Sequence, residues 1–275
     1  MKHMVLTITL ILLALLAIAP LAGKAMLHKG FKQQVDSLYA RSSRIEDQSF
    51  SYEQLKSLPE PVRKYFMNVL PEGKSYISYV RLKHDGWFRT GPGKKKMDIK
   101  GEQYFTAAKP GFIWKGKTSF FTARDMYIQD RGRLVVSLFS LFRVADEKGP
   151  AVDQAELLRW LGESVWFPTN LLPRENLSWK AIDSSRARLN FEYKGISVYY
   201  VVTFNEQHEI VRLETERYMG DKGLKPWIGK VSAYTEIQGV RVPSVIEASW
   251  DLEEGLYTYG RFRVRQMDYD VPHSF

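Results

Sequence analysis

Few of the ionisable and nucleophilic side chains in this sequence stand at a spacing that chemistry can use. The five histidines, His3, His28, His84, His208 and His273, form no close pair. The HExxH spacing, which sets two imidazoles on one helix face around zinc, is therefore absent. There is no cysteine, which excludes thiolate metal sites, thiol catalysis and a disulfide framework. Nor is there a G-x-S-x-G elbow, a P-loop or a G-x-G-x-x-G fingerprint. Glu156 and Glu163 lie seven residues apart on one expected helix, sharing a face at about 10 Å of rise. That separation suits solvated or ion-paired carboxylates better than an acid–base pair. Asp146, Asp153 and Glu156 are too sparse for a calcium loop. The sequence assigns no catalytic residue, no cofactor and no metal, and the expectation is a protein that is not an enzyme.

What remains as a candidate site is apolar. In ELLRWLGESVWFPTNLLP (Glu156–Pro173), two tryptophans, several leucines and a Trp-Phe-Pro-Thr step come together. Two readings stand. The segment is a helix plugging the concavity of a sheet, or Trp160, Val165, Trp166 and Phe167 line an apolar pocket beside that helix; both can hold. In RLVVSLFSLFRVADEKG (Arg133–Gly149), Leu138, Phe139, Leu141 and Phe142 are too dense for a strand with one wet face. That segment is a core element or an apolar flap, with Leu138 and Phe142 at its lip. Trp160, Val165, Trp166, Phe167, Leu138 and Phe142 are thus the expected ligand-binding set, for a hydrophobic or lipidic molecule.

A large sheet must position these residues. The stretch SRARLNFEYKG (Ser185–Gly195) alternates Ala187, Leu189, Phe191 and Tyr193 with Arg186, Arg188, Asn190 and Glu192, one buried face and one wet. Lys194-Gly195 turns it into Ile196–Phe204, and Asn205–His208 turns that into Glu209–Met219. Further strands are expected at Tyr76–Arg89, Met97–Thr106, Ser119–Ile128, Trp179–Ile182, Ile228–Ile237, Ser244–Leu252 and Tyr257–Tyr269. Their short connections imply an antiparallel meander. Ser51–Gly73 carries Leu55, Leu58, Val62, Phe66, Val69 and Leu70 at helical spacing, with Pro59 and Pro61 at a helix start and Pro71 and Gly73 after its end. A second helix is expected over Asp153–Trp166, opened by an Asp153/Glu156 capping box behind Gly149-Pro150 and ended by Pro168. The fold class is α+β: a large curved antiparallel sheet, an incomplete half-barrel, with a few packing helices.

Composition agrees with sheet. The 275 residues are 44 % hydrophobic and 13 % aromatic, enough for a sizeable core and rich in side chains that fit a pleated surface. The net charge of +9 is scattered; its one dense run, Lys94-Lys95-Lys96, follows Gly91-Pro92-Gly93. A solvated hairpin tip is the simple reading, and contact with anionic headgroups the functional one. No base-reading motif accompanies it, so nucleic acid is not an expected partner.

Met4–Ala22 is almost unbroken apolar, with Lys2 and His3 before it and Lys24 after. Its length matches the ~30 Å hydrocarbon core of a bilayer, and Pro20 spoils both candidate signal-cleavage sites, after Ala19 and after Ala22. The expectation is an uncleaved single-pass anchor, a cleaved signal being the alternative, with the domain on the extracytoplasmic side. The domains follow: 1–24 anchor or signal, 25–50 juxtamembrane helix and linker, 51–275 a single α+β half-barrel.

Four stretches together resemble a bacterial family known only as a domain of unknown function. They are LPEPVRKYF (Leu58–Phe66), GPAVDQAELLRWLGESVWFPTNLLP (Gly149–Pro173), PWIGKVSAYTEIQGVRVPSVIEASW (Pro226–Trp250) and RFRVRQMDYDV (Arg261–Val271). The last two also look like the closing strands of periplasmic lipoprotein carriers, which hold acyl chains against an apolar concave face. That resemblance implies an apolar ligand, but this chain departs from the carriers in its expected anchor and in the helix inserted at Asp153–Trp166. Those departures speak against free shuttling and for a fixed, membrane-anchored domain binding a hydrophobic or lipidic ligand at the bilayer surface. The alternative is a structural or signalling module that engages a partner protein through a sheet edge.

Overall fold

The computed structural model of the chain describes Thr7, Gly23 and residues 25–139 and 142–275. The apolar stretch Met4–Ala22 lies almost wholly outside the described residues, as does Leu141. Among the described residues no helix is long and apolar enough to cross a membrane.

Thirteen strands make one open antiparallel sheet. They are β1 (Tyr79–Phe88), β2 (Met97–Thr106), β3 (Gly111–Lys117), β4 (Phe121–Ile128), β5 (Arg131–Leu138), β6 (Phe142–Lys148), β7 (Leu177–Ala181), β8 (Arg186–Tyr193), β9 (Ile196–Phe204), β10 (Ile210–Tyr218), β11 (Leu224–Ile237), β12 (Val240–Leu252) and β13 (Gly255–Tyr269). The order across the sheet is β6-β5-β4-β3-β2-β1-β13-β12-β11-β10-β9-β8-β7. Two meanders therefore meet where the last strand pairs with the first, Val80 opposite Tyr269 and Phe88 opposite Gly260. Several hairpins close on two residues of positive φ, such as Lys194-Gly195 (51° and 78°) and Gln238-Gly239 (48° and 78°). That twist matches the right-handed twist of the strands it joins.

The sheet curls around α3 (Pro150–Glu163). Asp153 on this helix is tied to β5, and Tyr200 on β9 donates to the Leu158 carbonyl at 3.0 Å. Tyr193, at the end of β8, reaches Asp130 beyond β4 at 2.9 Å, so the two halves of the sheet face one another across the helix. A helix enclosed on so many sides cannot be amphipathic in the ordinary way. Asp153, Ala155, Glu156, Leu157, Leu158, Trp160 and Leu161 are all buried. The shorter α2 (Glu60–Val69) plugs the same face with Val62, Tyr65, Phe66 and Val69.

The expected helix start is corrected. Gly149 is the cap residue, at φ 113°, and Pro150 opens the first turn, where its missing N–H is no loss. Asp153 does not cap. Its Oδ1 accepts from the Gly132 N–H at 2.7 Å and its Oδ2 from Arg131 at 2.9 Å, because at 3 % exposure the sheet's unpaired donors are closer than the helix's own. Glu156 turns towards β10 rather than back to the helix start. The helix ends at Glu163, and a single 3₁₀ turn carries Ser164–Trp166.

Residues 25–40 form a helix, α1, packed on the convex face. Phe31, Val35, Leu38 and Tyr39 make a second core with Tyr79, Tyr104, Ile113 and Met126. The segment expected as juxtamembrane helix and linker is thus part of the folded body. Its position also explains why β3 escapes a sequence reading. Ile113 faces α1 while Phe112 and Trp114 face the concave core, so both faces are apolar and no alternation remains. The Arg133–Gly149 segment is a hairpin, β5 and β6, and β6 is one of the two edge strands of the sheet.

Candidate functional site

The six sequence candidates fall into two groups. Trp160, Val165, Trp166 and Phe167 are packed side chains, none more than 4 % exposed. Each indole also makes the hydrogen bond that burial demands. Trp160 Nε1 donates to the Thr106 carbonyl at 2.9 Å and Trp166 Nε1 to the Pro243 carbonyl at 3.0 Å. Phe105 contacts both Phe167, tilted at 5.2 Å between centroids, and Trp166, edge to face at 6.0 Å. This group is the plug that joins α3 to β2 and β12. Leu138 and Phe142 stand elsewhere, opposite each other at the β5–β6 turn, and Phe142 is 64 % exposed.

Phe142 belongs to an exposed apolar tip. Phe120, in the β3–β4 turn, and Phe139 meet edge to face at 6.5 Å, and both are mostly exposed, as is Val144. The tip continues inward through half-buried rings. Phe121 pairs with Leu138 and contacts Phe88; Phe88 contacts Tyr259; Tyr259 accepts from Trp227 Nε1 at 2.9 Å. An aromatic rim thus follows one end of the sheet, built from the β1, β3–β4, β5–β6 and β13 ends. The lysine run lies beside it, with Lys96 4.1 Å over the Trp87 ring.

Helix α1 rises towards this same end. Leu38 packs on Gly111 at the start of β3, while Phe31 lies under Lys115 near the end of that strand. Continuing back to Ala25 adds about 9 Å, which reaches the level of the β3–β4 turn and Phe120. The described part of α1 therefore begins, at Ala25, at the aromatic end of the body.

Beneath the rim lies a cluster of charges that sequence reading missed. Arg159 on α3 binds Asp125 of β4 at 2.5 Å and Glu163 at 3.0 Å, and Glu163 also accepts from Gln103 of β2 at 2.5 Å. Glu156, one turn back, faces Arg217 of β10 at 3.5 Å. Burial and the Asp125 carboxylate push Glu156 up to about 8, so it is a carboxylic acid at neutral pH. Burial raises Asp125 and Glu163 as well, against the pull of Arg159. Glu156 Oε2, Asp125 Oδ1 and Arg217 Nε are buried without a hydrogen-bond partner. Next to the cluster, His84 Nε2 accepts from Trp114 Nε1 at 2.7 Å, which fixes its neutral tautomer, and burial and Arg159 lower it to about 4. The signal in the sequence was Glu156, Arg159 and Glu163 at helical spacing on a helix that also carries a run of apolar residues; Asp125 and Arg217 come from strands far away in the chain.

Two recesses open elsewhere. One of about 550 Å³ is lined by Arg44, Glu46, Asp47, Tyr76 and Asp270, and one of about 210 Å³ by Glu60, Lys64, Ser185 and His208. Neither touches the six candidates. Among the described residues, no three His, Asp or Glu side chains group as a metal set.

Fold and site define an α+β domain with a large open antiparallel sheet and few helices. The chain belongs to the family described as Family of unknown function (DUF6544), matched over residues 48–262. No curated protein matches it. Among solved structures it is similar to a LolA superfamily protein from Nitrosomonas europaea, at TM-score 0.44 and 10 % identity over 76 % of this chain and 91 % of that one. It is also similar to a domain from Vibrio parahaemolyticus described as an outer membrane lipoprotein-sorting protein, at TM-score 0.40 and 8 % identity over 77 % of this chain and 92 % of that one.

Proposed function

We propose that this protein is a membrane-attached, extracytoplasmic domain that binds a lipidic or other amphipathic ligand at its aromatic end, with that end turned to the bilayer. The observation that carries the reading is one of direction: α1 starts at the end of the sheet where Phe120, Phe139 and Phe142 are exposed. An anchor at Met4–Ala22 leaves the body with this end nearest the membrane. Exposed phenylalanines beside Lys94, Lys95 and Lys96 suit an interface where apolar rings enter the headgroup layer and ammonium groups meet anionic lipid.

The packed interior limits where a ligand can sit. Trp160, Val165, Trp166 and Phe167 fill the concave face, so their part is to hold α3 as a fixed wall. Leu138 and Phe142, with the rim from Phe121 to Tyr259, make the contacts to an apolar tail. No chemical step is assigned.

The test uses the full chain in neutral-lipid nanodiscs and a fluorescent fatty acid, corrected for uptake by empty discs. Wild type takes up the probe. The combined change Phe120→Ser, Phe139→Ser and Phe142→Ser lowers uptake at least about fivefold, while stability shifts little because exposed side chains contribute little to folding. Equal uptake by both proteins, or none by the wild type, would end the proposal.

A further inference from the structure

From the cluster beneath the rim we infer that Arg217 and Glu156 receive the anionic headgroup, a carboxylate or a phosphate, of an amphipathic ligand. This rests on the ligand-binding reading above and names the chemistry at its polar end.

The two arginines of the cluster are used very differently. Arg159 has its fork filled, by Asp125 at 2.5 Å and Glu163 at 3.0 Å. Arg217 has one carboxylate in reach, Glu156 at 3.5 Å, and its Nε–H is buried with no partner. A guanidinium taken out of water and left with an unused donor is desolvated without return. Its planar fork is the geometry that binds carboxylate or phosphate oxygens in pairs. Glu156 adds to this. It is 5 % exposed, its Oε2 is unpartnered, and burial keeps it protonated at neutral pH, so it presents an O–H donor beside Arg217.

Groups from several strands and from α3 itself surround the pair. Facing Glu156 are Asp125 from β4, Arg217 from β10, and Arg159 and Glu163 from its own helix. Facing Arg217 are Tyr259 from β13, Tyr200 from β9, Glu156 and Arg159. The Tyr259 hydroxyl accepts from Trp227 and keeps its own O–H to donate. The Tyr200 hydroxyl is spent on the Leu158 carbonyl. Gly162 keeps the approach close there, since a Cβ would come within 2.7 Å of that hydroxyl. Other atoms of the cluster stay open to solvent: the Arg217, Arg159, Glu163 and Asp125 side chains keep 14–18 % exposure. Tyr259 belongs both to the cluster and to the aromatic rim. A headgroup at Arg217 therefore has its tail along Tyr259, Phe88 and Phe121, towards Leu138.

Titration calorimetry on the full chain in neutral-lipid nanodiscs tests this with hexanoate, hexanol and inorganic phosphate. Wild type is expected to bind hexanoate at least about tenfold more tightly than hexanol, and Arg217→Met to abolish the preference. Should Arg217→Met not fold, Glu156→Gln decides, because an amide mimics the protonated acid. Hexanoate affinity of the wild type falls at least about fivefold between about pH 7 and about pH 9 as Glu156 ionises, and that of Glu156→Gln stays flat. Equal binding of hexanoate and hexanol by the wild type overturns the headgroup site and leaves the apolar ligand standing. Phosphate bound as well as hexanoate, with hexanol ignored, supports the anion site and sinks the lipid reading. A pH response unchanged by Glu156→Gln, or no binding of any of the three, overturns the inference.

Discussion

Arg217 and Glu156 face each other at 3.5 Å across the interface of β10 and α3, and each keeps a buried polar atom with no partner. A pair built only to fix the helix would be expected to close to hydrogen-bonding distance, as Arg159 does with both of its carboxylates. The loose pair sits where the aromatic rim meets the packed interior. Its two residues bear on stability as well as on the proposed binding.

The first consequence is a pH dependence. Burial and Asp125 raise Glu156 from 4.5 to about 8, so between these values the folded chain holds a proton that the unfolded chain releases. Stability from this group is complete below about pH 4.5 and is lost as pH rises through about 8. Glu156→Gln should flatten that part of the stability curve and be more stable than wild type on the alkaline side. Urea unfolding at several pH values measures it; parallel curves for the two proteins would show that Glu156 is ionised throughout.

Trp160 is a structural anchor. It is fully buried, contacts Phe191 at 5.3 Å and donates to the Thr106 carbonyl. Trp160→Ala should cost about 3–5 kcal/mol, and Trp160→Phe less, mainly through the unpaired carbonyl. Denaturant midpoints at neutral pH decide; a loss below about 1 kcal/mol for the alanine variant would mean that the ring is not packed as described.

Two aspartates on either side of Gly149 should behave unequally. Asp153, at 3 % exposure, ties α3 to the Gly132 N–H, and Asp153→Ala leaves that donor buried, at a cost of about 1–3 kcal/mol. Asp146 pairs with Arg133 and Arg143 on the sheet edge, where salt-screened contacts contribute less than about 1 kcal/mol. Thermal melts of the two alanine variants compare them directly, and equal losses would contradict the tether.

Much of the sheet was legible because its strands bury one face. Ala187, Leu189, Phe191 and Tyr193 alternate with polar neighbours, and β8 stands where that pattern puts it. Helix α2 was legible through its apolar spacing and prolines. Where an element is covered on both sides the code fades. β3 lies between α1 and the concave core and shows no alternation, and α3 is enclosed all round. The aspartate at the third position of α3 imitates a capping box, yet tertiary contact claims it. For the site, a dense apolar run marks both a packed plug and an exposed tip, since composition carries no sign of which side faces water. Trp166 and Phe142 show the two outcomes. The charge cluster needs Asp125 and Arg217 beside α3, a proximity that only the curl of the sheet creates.

The direction of the molecule on the membrane is the central claim, and the absence of cysteine makes it directly measurable. Phe120→Cys, in full-length protein reconstituted into vesicles containing anionic lipid, takes a single environment-sensitive fluorophore; Gln238→Cys, in the β11–β12 turn at the other end of the sheet, serves as the control. With quencher groups on the lipid chains, the account predicts strong quenching and a blue-shifted emission at position 120 and neither at position 238. Equal, water-like emission at both positions, or quenching at 238 alone, would contradict it.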